Sequence, residues 1–220
     1  MTRIKKNNLL SEKVYKRIKE EIITHKLPSN YRLKEEQLAK ELGVSRSPVR
    51  EALRRLASEG YITLFPNRGA IINEISIKDV IEIYQIRGTL FGLAGSLSSQ
   101  NISKKEIHKL EELIKKMGDT LKKGDTYNFS LLDEEFDNLI LKTSRNKNLI
   151  EILKIINDRI RMIRFESLSV PGRMERAFNE LNKIFYAIKN RDKDNAEKYI
   201  KEHSQNALSN IIKSRQKKIK

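Results

Sequence analysis

The chain has 220 residues, which allows one large or two small folded domains, and it carries 38% hydrophobic and 34% charged residues. No stretch of it approaches the roughly 20 apolar residues of a membrane-spanning helix. The chain lacks cysteine, which excludes disulfides and thiolate chemistry. Its basic N-terminal segment continues into charged sequence and not into the apolar stretch of a signal peptide. We therefore expect a cytoplasmic protein with no membrane partner. The formal net charge of +16 favours a polyanionic partner such as nucleic acid, although a lysine-rich solubility surface would give the same charge.

The first part of the chain predicts three helices, over residues 10–26, 35–42 and 46–59. Ser11 is the candidate N-cap of the first, because its hydroxyl can accept from the first free backbone N–H groups. Gly43 tolerates the left-handed backbone that ends a helix sharply, so it closes the second helix. Ser45 or Ser47 then caps the third.

The pattern changes after these helices. Strands are predicted over residues 61–65 and 69–75, joined by a turn at residues 66–69, and a hairpin directly after a helix-turn-helix forms a wing. From residue 76 onward only helices are predicted, over residues 78–100, 103–123, 126–144, 147–167, 174–190 and 192–213. The fold class is therefore mainly α, with a winged helix-turn-helix over residues 1–75 and an all-α antiparallel bundle of about six helices over residues 76–220.

The third helix has two chemically different faces. Its apolar residues recur at i, i+3, i+4 and i+7 and face inward: Val49, Ala52, Leu53 and Leu56. Its outer face carries Arg46, Ser47, Arg50 and Arg54. Because arginine can grip guanine O6 and N7 or a phosphate with two hydrogen bonds, this face predicts a DNA-reading helix. The alternative is a helix with a merely solvated arginine face.

A family resemblance rests on one continuous run, LKEEQLAKELGVSRSPVREALRRLASEGYITLFPNRGAII. This run resembles the winged helix-turn-helix of the GntR family of bacterial regulators. The remainder is similar to the all-helical C-terminal domain of the FadR-type branch, on weaker markers such as YQIRGTL (84–90) and LDEEFDNLI (132–140). The resemblance implies a sequence-specific DNA-binding transcriptional regulator, a repressor whose operator binding responds to a small effector in the helical domain.

The family's DNA contacts carry over where the residues match. They fall at the start of the recognition helix, within it and at the wing tip, on Ser45, Arg46, Ser47, Arg50, Arg68 and Gly69. One departure is Glu36, which stands where the best-studied branch has a basic residue, so that contact is expected to be lost. His25 and Asn30 also replace glycines that are usual in the family between the first helix and the wing.

The resemblance also implies a metal site of one Asp and three His, and this chain keeps only part of it. Asp133 and His203 match, Asp137 replaces the second ligand, and the third place falls at Leu181, beside Glu180. A three-histidine zinc or nickel site is impossible within one subunit, because the other two histidines lie elsewhere.

The remaining ligand set is rich in oxygen, so a metal bound there would be Mg²⁺, Mn²⁺ or Ca²⁺ rather than Zn²⁺. Without a metal, the two aspartates would be neutralised by Arg87 or another basic residue, or would face water. We therefore expect no cofactor in preference to a metal, and the metal ligands would at most be Asp133, Asp137 and His203.

Arg87 is the second candidate in the helical domain, because it lies in the mostly apolar run YQIRGTLFGLAG. The resemblance suggests an effector pocket in which this guanidinium pairs with a small carboxylate, together with Asp133 and His203. A salt bridge to another helix or to the DNA-binding head is the alternative. Phe91 replaces a glutamate of the family pattern, which favours a more apolar effector.

The expected assembly is a two-fold homodimer on a palindromic double-stranded operator, joined by apolar helix faces within residues 78–123. The basic tail, with Lys213, Arg215, Lys217, Lys218 and Lys220, would contact phosphate if it contacts DNA at all. The competing functions are an architectural DNA-binding protein without an effector and a metal-dependent enzyme. The enzyme is disfavoured, because the chain shows neither a nucleophile arrangement nor a glycine-rich phosphate loop.

Overall fold

The computed structural model describes residues 5–66 and 69–219. These residues form two compact units, one on each side of the junction between Ile75 and Ser76. Within the described ranges, no helix is long and apolar enough to cross a membrane.

The N-terminal unit contains helices and short strands in the order α1 (Lys5–Ile23), β1 (Arg32–Leu33), α2 (Glu35–Glu41), α3 (Arg46–Ser58), β2 (Ile62–Phe65) and β3 (Gly69–Ile72). The predicted N-cap of the first helix was wrong, because α1 begins at Lys5 and Ser11 therefore lies inside it. After α1, His25 and Asn30 adopt left-handed backbone, with φ of 55° and 66°. Both thus take the conformation that glycine adopts most easily at positions where the family pattern has glycine.

The wing hairpin, β2 and β3, supplies two strands of a three-stranded antiparallel sheet with the order β1-β3-β2. In the register, Leu33 of β1 and Leu64 of β2 both lie opposite Ala70 of β3. The sequence did not predict β1, because two residues are too few to show an alternating pattern. The second wing strand ends at Ile72 rather than at residue 75. The next residue, Asn73, donates from its backbone N–H to the Tyr61 carbonyl and from its side chain to the Gly60 carbonyl.

The inward face of α3 forms the core of the N-terminal unit, as its spacing predicts. The residues on this face are all buried: Val49, Ala52, Leu53 and Leu56. Ile18 and Ile22 of α1, Tyr61 just before β2 and Ile72 at the end of β3 are buried as well. Each large aliphatic side chain buried in this way contributes about 1.5–3 kcal/mol. This packing fixes which face of α3 remains in solvent.

The C-terminal unit consists, in its described part, of α4 (Ile77–Asn101), α5 (Lys104–Lys122), α6 (Thr126–Thr143), α7 (Lys147–Leu168), α8 (Arg173–Lys189) and α9 (Lys193–Ile219). The predicted capping box of Ser103 and Glu106 starts α5, and a second one, formed by Ser76 and Asp79, starts α4. The mainly α fold class with a winged helix-turn-helix is confirmed.

Helices α4 and α9 pack closely against each other along the C-terminal unit. A Cβ at Gly95 of α4 would lie 2.2 Å from Ile200 Cδ1 of α9. The glycine at this position therefore allows the two helices to approach each other closely. Phe91, Phe129, Phe136 and Phe185 belong to the same apolar core, which surrounds a group of buried charges described below.

Candidate functional site: a basic reading surface and a buried ionic cluster

The outer face of α3 presents its arginines to solvent. Arg46, Arg50 and Arg54 are exposed, while the opposite face of the helix is packed in the core. Ser45 is the N-cap residue of α3, although its side chain makes no capping hydrogen bond, and Ser47 lies in the first turn. Both hydroxyls are therefore exposed at the start of the helix, where backbone N–H groups attract anions.

A groove of about 770 Å³ lies between α2, α3 and the wing. Its basic lining residues are Arg32, Lys34, Arg46, Arg50 and Arg54, and its acidic ones are Glu35 and Glu36. The five basic and two acidic residues leave the groove with a net positive charge, which suits a phosphate backbone.

Two of these arginines contact acidic residues of α2. Arg50 donates from Nε and Nη2 to the Glu35 carboxylate, at 3.1 Å and 3.0 Å to Oε2. This hydrogen bond and the glutamate charge raise the pKa of Arg50. Arg46 donates from Nη2 to Glu36. At the position where the family pattern has a basic residue, the chain thus carries a partner for Arg46.

The wing tip is described only in part. Gly69 has a φ of 82°, and a Cβ there would lie 2.4 Å from the Leu33 carbonyl oxygen. Gly69 is thus required where β3 passes β1, whatever its role toward DNA. Arg68, the other predicted wing contact, lies outside the described residues.

The C-terminal unit buries an ionic cluster between α4, α6 and α7. Arg87 donates from Nη2 to Asp137 at 2.7 Å, and Arg164 donates from Nη2 to the same Asp137 oxygen. Arg164 Nε also lies 3.1 Å from Asp133 Oδ2. Burial outweighs the arginine charges at Asp133 and raises its pKa, whereas Arg87 and Arg164 together overcome burial and lower the pKa of Asp137.

This arrangement does not fit the metal ion that the family pattern implies. Arg164 places a permanent positive charge between the Asp133 and Asp137 carboxylates, and these charges raise the pKa of its guanidinium further. A divalent cation at the same place would be repelled by Arg164. Among the described residues, moreover, no three His, Cys, Asp or Glu side chains are grouped to hold a metal.

His203 belongs to a second, neighbouring group of polar side chains. Its Nδ1 lies 2.7 Å from Glu180 Oε2, which also accepts from Arg173 Nη2 at 2.8 Å. Asn206 donates to the other Glu180 oxygen at 2.9 Å. Hydrogen bonds and charges from His203 and Arg173 lower the pKa of Glu180 despite its burial. Leu181, the matched position for the third metal ligand, lies in the apolar core.

Two cavities adjoin these charges. A small cavity of about 10 Å³ is lined by several charged or polar groups, including Arg87, Asp133, Arg164, Arg173 and His203. A larger one of about 200 Å³ has mostly apolar walls and includes Arg87, Phe91, Asp137, Leu141, Leu153 and Ile160. Because Arg87 lines both cavities, its side chain lies between them.

Several buried polar atoms of residues that line the small cavity make no hydrogen bond. They are Asp133 Oδ1, Arg164 Nη1, and Arg173 Nε and Nη1. An unpaired buried polar group costs about 1–3 kcal/mol, so these atoms favour a molecule that supplies the missing partners.

The structure therefore brings the three predicted effector residues, Arg87, Asp133 and His203, to one cavity. Sequence reasoning missed Arg164 and Arg173. Arg164 lies between Ile163 and Phe165, and this apolar setting was a usable signal of the kind that singled out Arg87. In the tail, Arg215 donates to Glu166 of α7 at 2.8 Å and 2.6 Å.

Comparison with known proteins agrees with both units. The model of bacterial regulatory proteins of the gntR family matches residues 10–72, and that of the FCD domain, the FadR-type C-terminal domain, matches residues 82–206. A relative from Bacillus subtilis, the HTH-type transcriptional regulator YdhC, is 31% identical over 86% of this chain and 85% of its own length. The chain belongs to the GntR family. It is therefore a DNA-binding transcriptional regulator, and the predicted family is confirmed.

Two further matches extend over nearly the whole regulator. The HTH-type transcriptional repressor RspR of Escherichia coli is 26% identical over 98% of this chain and 94% of its own length. The solved structure of E. coli McbR/YncC superposes with a TM-score of 0.78, covers 93% of this GntR-family chain and 98% of the other, and is 24% identical. At that identity the second match shows a common fold alone.

Proposed function

We propose that this GntR-family regulator represses transcription from a specific palindromic operator, and that a small organic acid in its helical unit modulates the binding. The observation that carries the DNA-binding part is the exposed row of Arg46, Arg50 and Arg54, held outward by the packed opposite face of α3. Repression is supported by the similarity to RspR, which is named as a repressor. Binding to the bacterial chromosome places the regulator in the cytoplasm.

The DNA contacts divide between base reading and phosphate binding. Arg46 and Arg50 lie in the first half of the recognition helix, from which side chains reach base edges in the major groove. Ser45 and Ser47 lie at the helix N-terminus, which suits a phosphate. Gly69 begins β3, and Arg68 precedes it in the sequence, so we assign these two residues of the predicted wing tip to the adjacent groove.

The polar part of the effector site is the small cavity. Arg164 Nη1 and Arg173 Nε and Nη1 need acceptors, which a carboxylate supplies, whereas Asp133 Oδ1 needs a donor. Because Arg164 and Arg173 are both buried, a carboxylate there would form charge-assisted hydrogen bonds shielded from water. The present volume of about 10 Å³ holds about one water, so the side chains around the cavity must move apart to admit the carboxylate. The effector class that matches the unpaired donors is an organic acid.

The apolar part of the site is the larger cavity. Its volume of about 200 Å³ exceeds that of a cavity of about 150 Å³ that takes up benzene. Phe91, Leu153 and Ile160 supply apolar wall, so the acid would carry a compact apolar tail such as a phenyl or short alkyl group. Arg87 can turn from Asp137 to the ligand without stranding a charge, because Arg164 still pairs with Asp137.

A homodimer is part of the proposal, because one recognition helix reads only a few base pairs. Helix α4 supplies a candidate interface. Ile86 and Leu93 lie two turns apart on it and expose 46% and 42% of their surface, which is unusual for large apolar side chains on a helix otherwise packed in the core.

The test uses an operator selected with the wild-type protein from random duplex DNA. We expect Arg50→Ala to lose about 1–3 kcal/mol of operator binding and to reduce discrimination against scrambled DNA. Arg55→Ala is the matched control, because Arg55 is on the same helix but contacts Tyr15 and Glu59 of the N-terminal unit. Equal binding of selected and scrambled duplexes by the wild type, measured by fluorescence anisotropy, would refute the proposal.

A further inference from the structure

The contact between Arg50 and Glu35 uses one particular edge of the guanidinium group. Arginine presents five N–H donors in a rigid planar fork. In Arg50 the side edge, formed by Nε and Nη2, donates to Glu35, with Nε 3.2 Å and 3.1 Å from the two carboxylate oxygens. Nη2 lies 3.0 Å from Oε2. The end edge, formed by Nη1 and the second hydrogen of Nη2, is left for another partner.

The end edge has the spacing that binds guanine O6 and N7 with two hydrogen bonds. A free arginine side chain loses much rotamer freedom when it makes such a contact. Glu35 removes part of this loss in advance, because three hydrogen bonds hold Arg50 before DNA arrives. By orienting Arg50 in advance, Glu35 thus favours a contact of this arginine with a specific base more than its contact with a phosphate.

Arg46 and Glu36 have a different geometry. Here Nη2 alone contacts one Glu36 oxygen, and because Nη2 belongs to both edges, this single contact fixes neither edge. Glu36 is also more exposed than Glu35, with 78% against 31% of the side chain accessible. Glu36 therefore does not orient Arg46, and its exposed negative charge opposes the approach of a phosphate to this arginine. Glu35, in contrast, holds the side edge of Arg50 and leaves the end edge for DNA.

We infer that Glu35 is a positioning residue that orients Arg50 toward guanine, whereas Glu36 competes with DNA for Arg46. The inference rests on the proposed operator contact of Arg50. It assigns opposite effects on recognition to two adjacent acidic residues in the first turn of α2. Their contributions to net charge and to the helix dipole are nearly the same.

The experiment compares Glu35→Ala with Glu36→Ala, each checked by a melting curve. Binding is measured at one salt concentration to the selected operator, to operators with single guanines replaced by 7-deazaguanine, which lacks N7, and to scrambled DNA. In the wild type we expect one deaza position per half-site to weaken binding about tenfold. Arg50→Ala should lose this penalty, and Glu35→Ala should reduce it to about threefold or less.

Glu36→Ala should retain the full deaza penalty and bind operator and scrambled DNA more tightly by the same factor. Retention of the full penalty in Glu35→Ala, together with its loss in Arg50→Ala, would overturn the positioning role alone. Tighter binding of both duplexes by Glu35→Ala, as expected for Glu36→Ala, would make Glu35 a competitor and would also overturn it. A penalty that persists in Arg50→Ala would remove the proposed guanine contact as well.

Discussion

Arg164 donates to Asp137 at a place where both side chains are almost completely buried, with 6% and 9% of their surfaces accessible. The same guanidinium reaches Asp133, so one cation joins α7 to two carboxylates one turn apart on α6. A positive charge thus lies where the family pattern would place a metal, but it belongs to the protein chain itself.

This relationship predicts the effect of removing the arginine. Arg164→Ala leaves buried Asp133 without its arginine partner and Asp137 with Arg87 alone, and breaking a buried ion pair in this way costs about 3–5 kcal/mol. We expect Mn²⁺ to raise the melting temperature of this variant and not that of the wild type, because the vacated space lies between two oxygen ligands. A wild-type melting temperature that falls with chelator and recovers with Mn²⁺ would contradict the prediction.

Glu180 predicts a pH-dependent stability. His203 and Arg173 lower the pKa of Glu180 in the folded chain. The contribution of Glu180 to the free energy of unfolding is therefore complete above the unfolded pKa, about 4.3, and is lost as the pH falls through the lower folded pKa. Glu180→Gln should therefore melt well below the wild type at pH 7, and the difference should shrink toward pH 3. Chemical denaturation across this range checks it, and a difference that grows on acidification would be the wrong sign.

The two cavities predict a ligand preference. Phenylacetate or hexanoate should stabilise the protein, by roughly 2.7 kcal/mol at 100 times the dissociation constant, whereas acetate and benzyl alcohol should have little effect. Arg87→Gln should abolish the shift and keep the fold, because Asp137 retains Arg164. Lys189→Gln, which changes an exposed residue outside the lining of both cavities, is the control. Equal shifts from acetate and phenylacetate would exclude a role for the apolar cavity.

Two glycines of the N-terminal unit are expected to lose different amounts of stability when they are replaced by alanine. Gly69→Ala meets the Leu33 carbonyl oxygen at 2.4 Å in addition to left-handed strain, whereas Gly43→Ala meets no atom within 4 Å. We expect about 1–2 kcal/mol of destabilisation for Gly43→Ala and more for Gly69→Ala. Melting of the two variants side by side checks the order, and equal losses would mean that the sheet adjusts freely.

The proposed dimer predicts a charge-sensitive helix face. The double change Ile86→Glu and Leu93→Glu should convert a dimer into a monomer of 25.7 kDa in light scattering, since both residues would bury a charge in the interface. Ile155→Glu, at an even more exposed apolar residue on α7, is the matched control and should remain dimeric. A wild-type protein that is monomeric with and without DNA would remove the premise.

The local features of this chain were largely determined by its sequence. Apolar spacing predicted α3 and the face that it buries, and the Ser103 and Glu106 pair predicted the start of α5. These predictions succeed because helix periodicity and capping depend on residues three or four positions apart. The two-residue strand β1 was missed, because its place depends on pairing with β3 and not on its own pattern.

Only the tertiary structure decided which charges meet. Sequence reasoning left Asp133 and Asp137 with a metal, a basic neighbour or water as alternatives, and the structure places Arg87 and Arg164 beside them. These arginines lie 50 and 27 positions from Asp137, so no local spacing relates them to it. In the N-terminal unit, the turn between α2 and α3 likewise brings Glu35 to Arg50, 15 positions away. Packing of the helices determines such pairs, because buried charges must find partners wherever the fold places them.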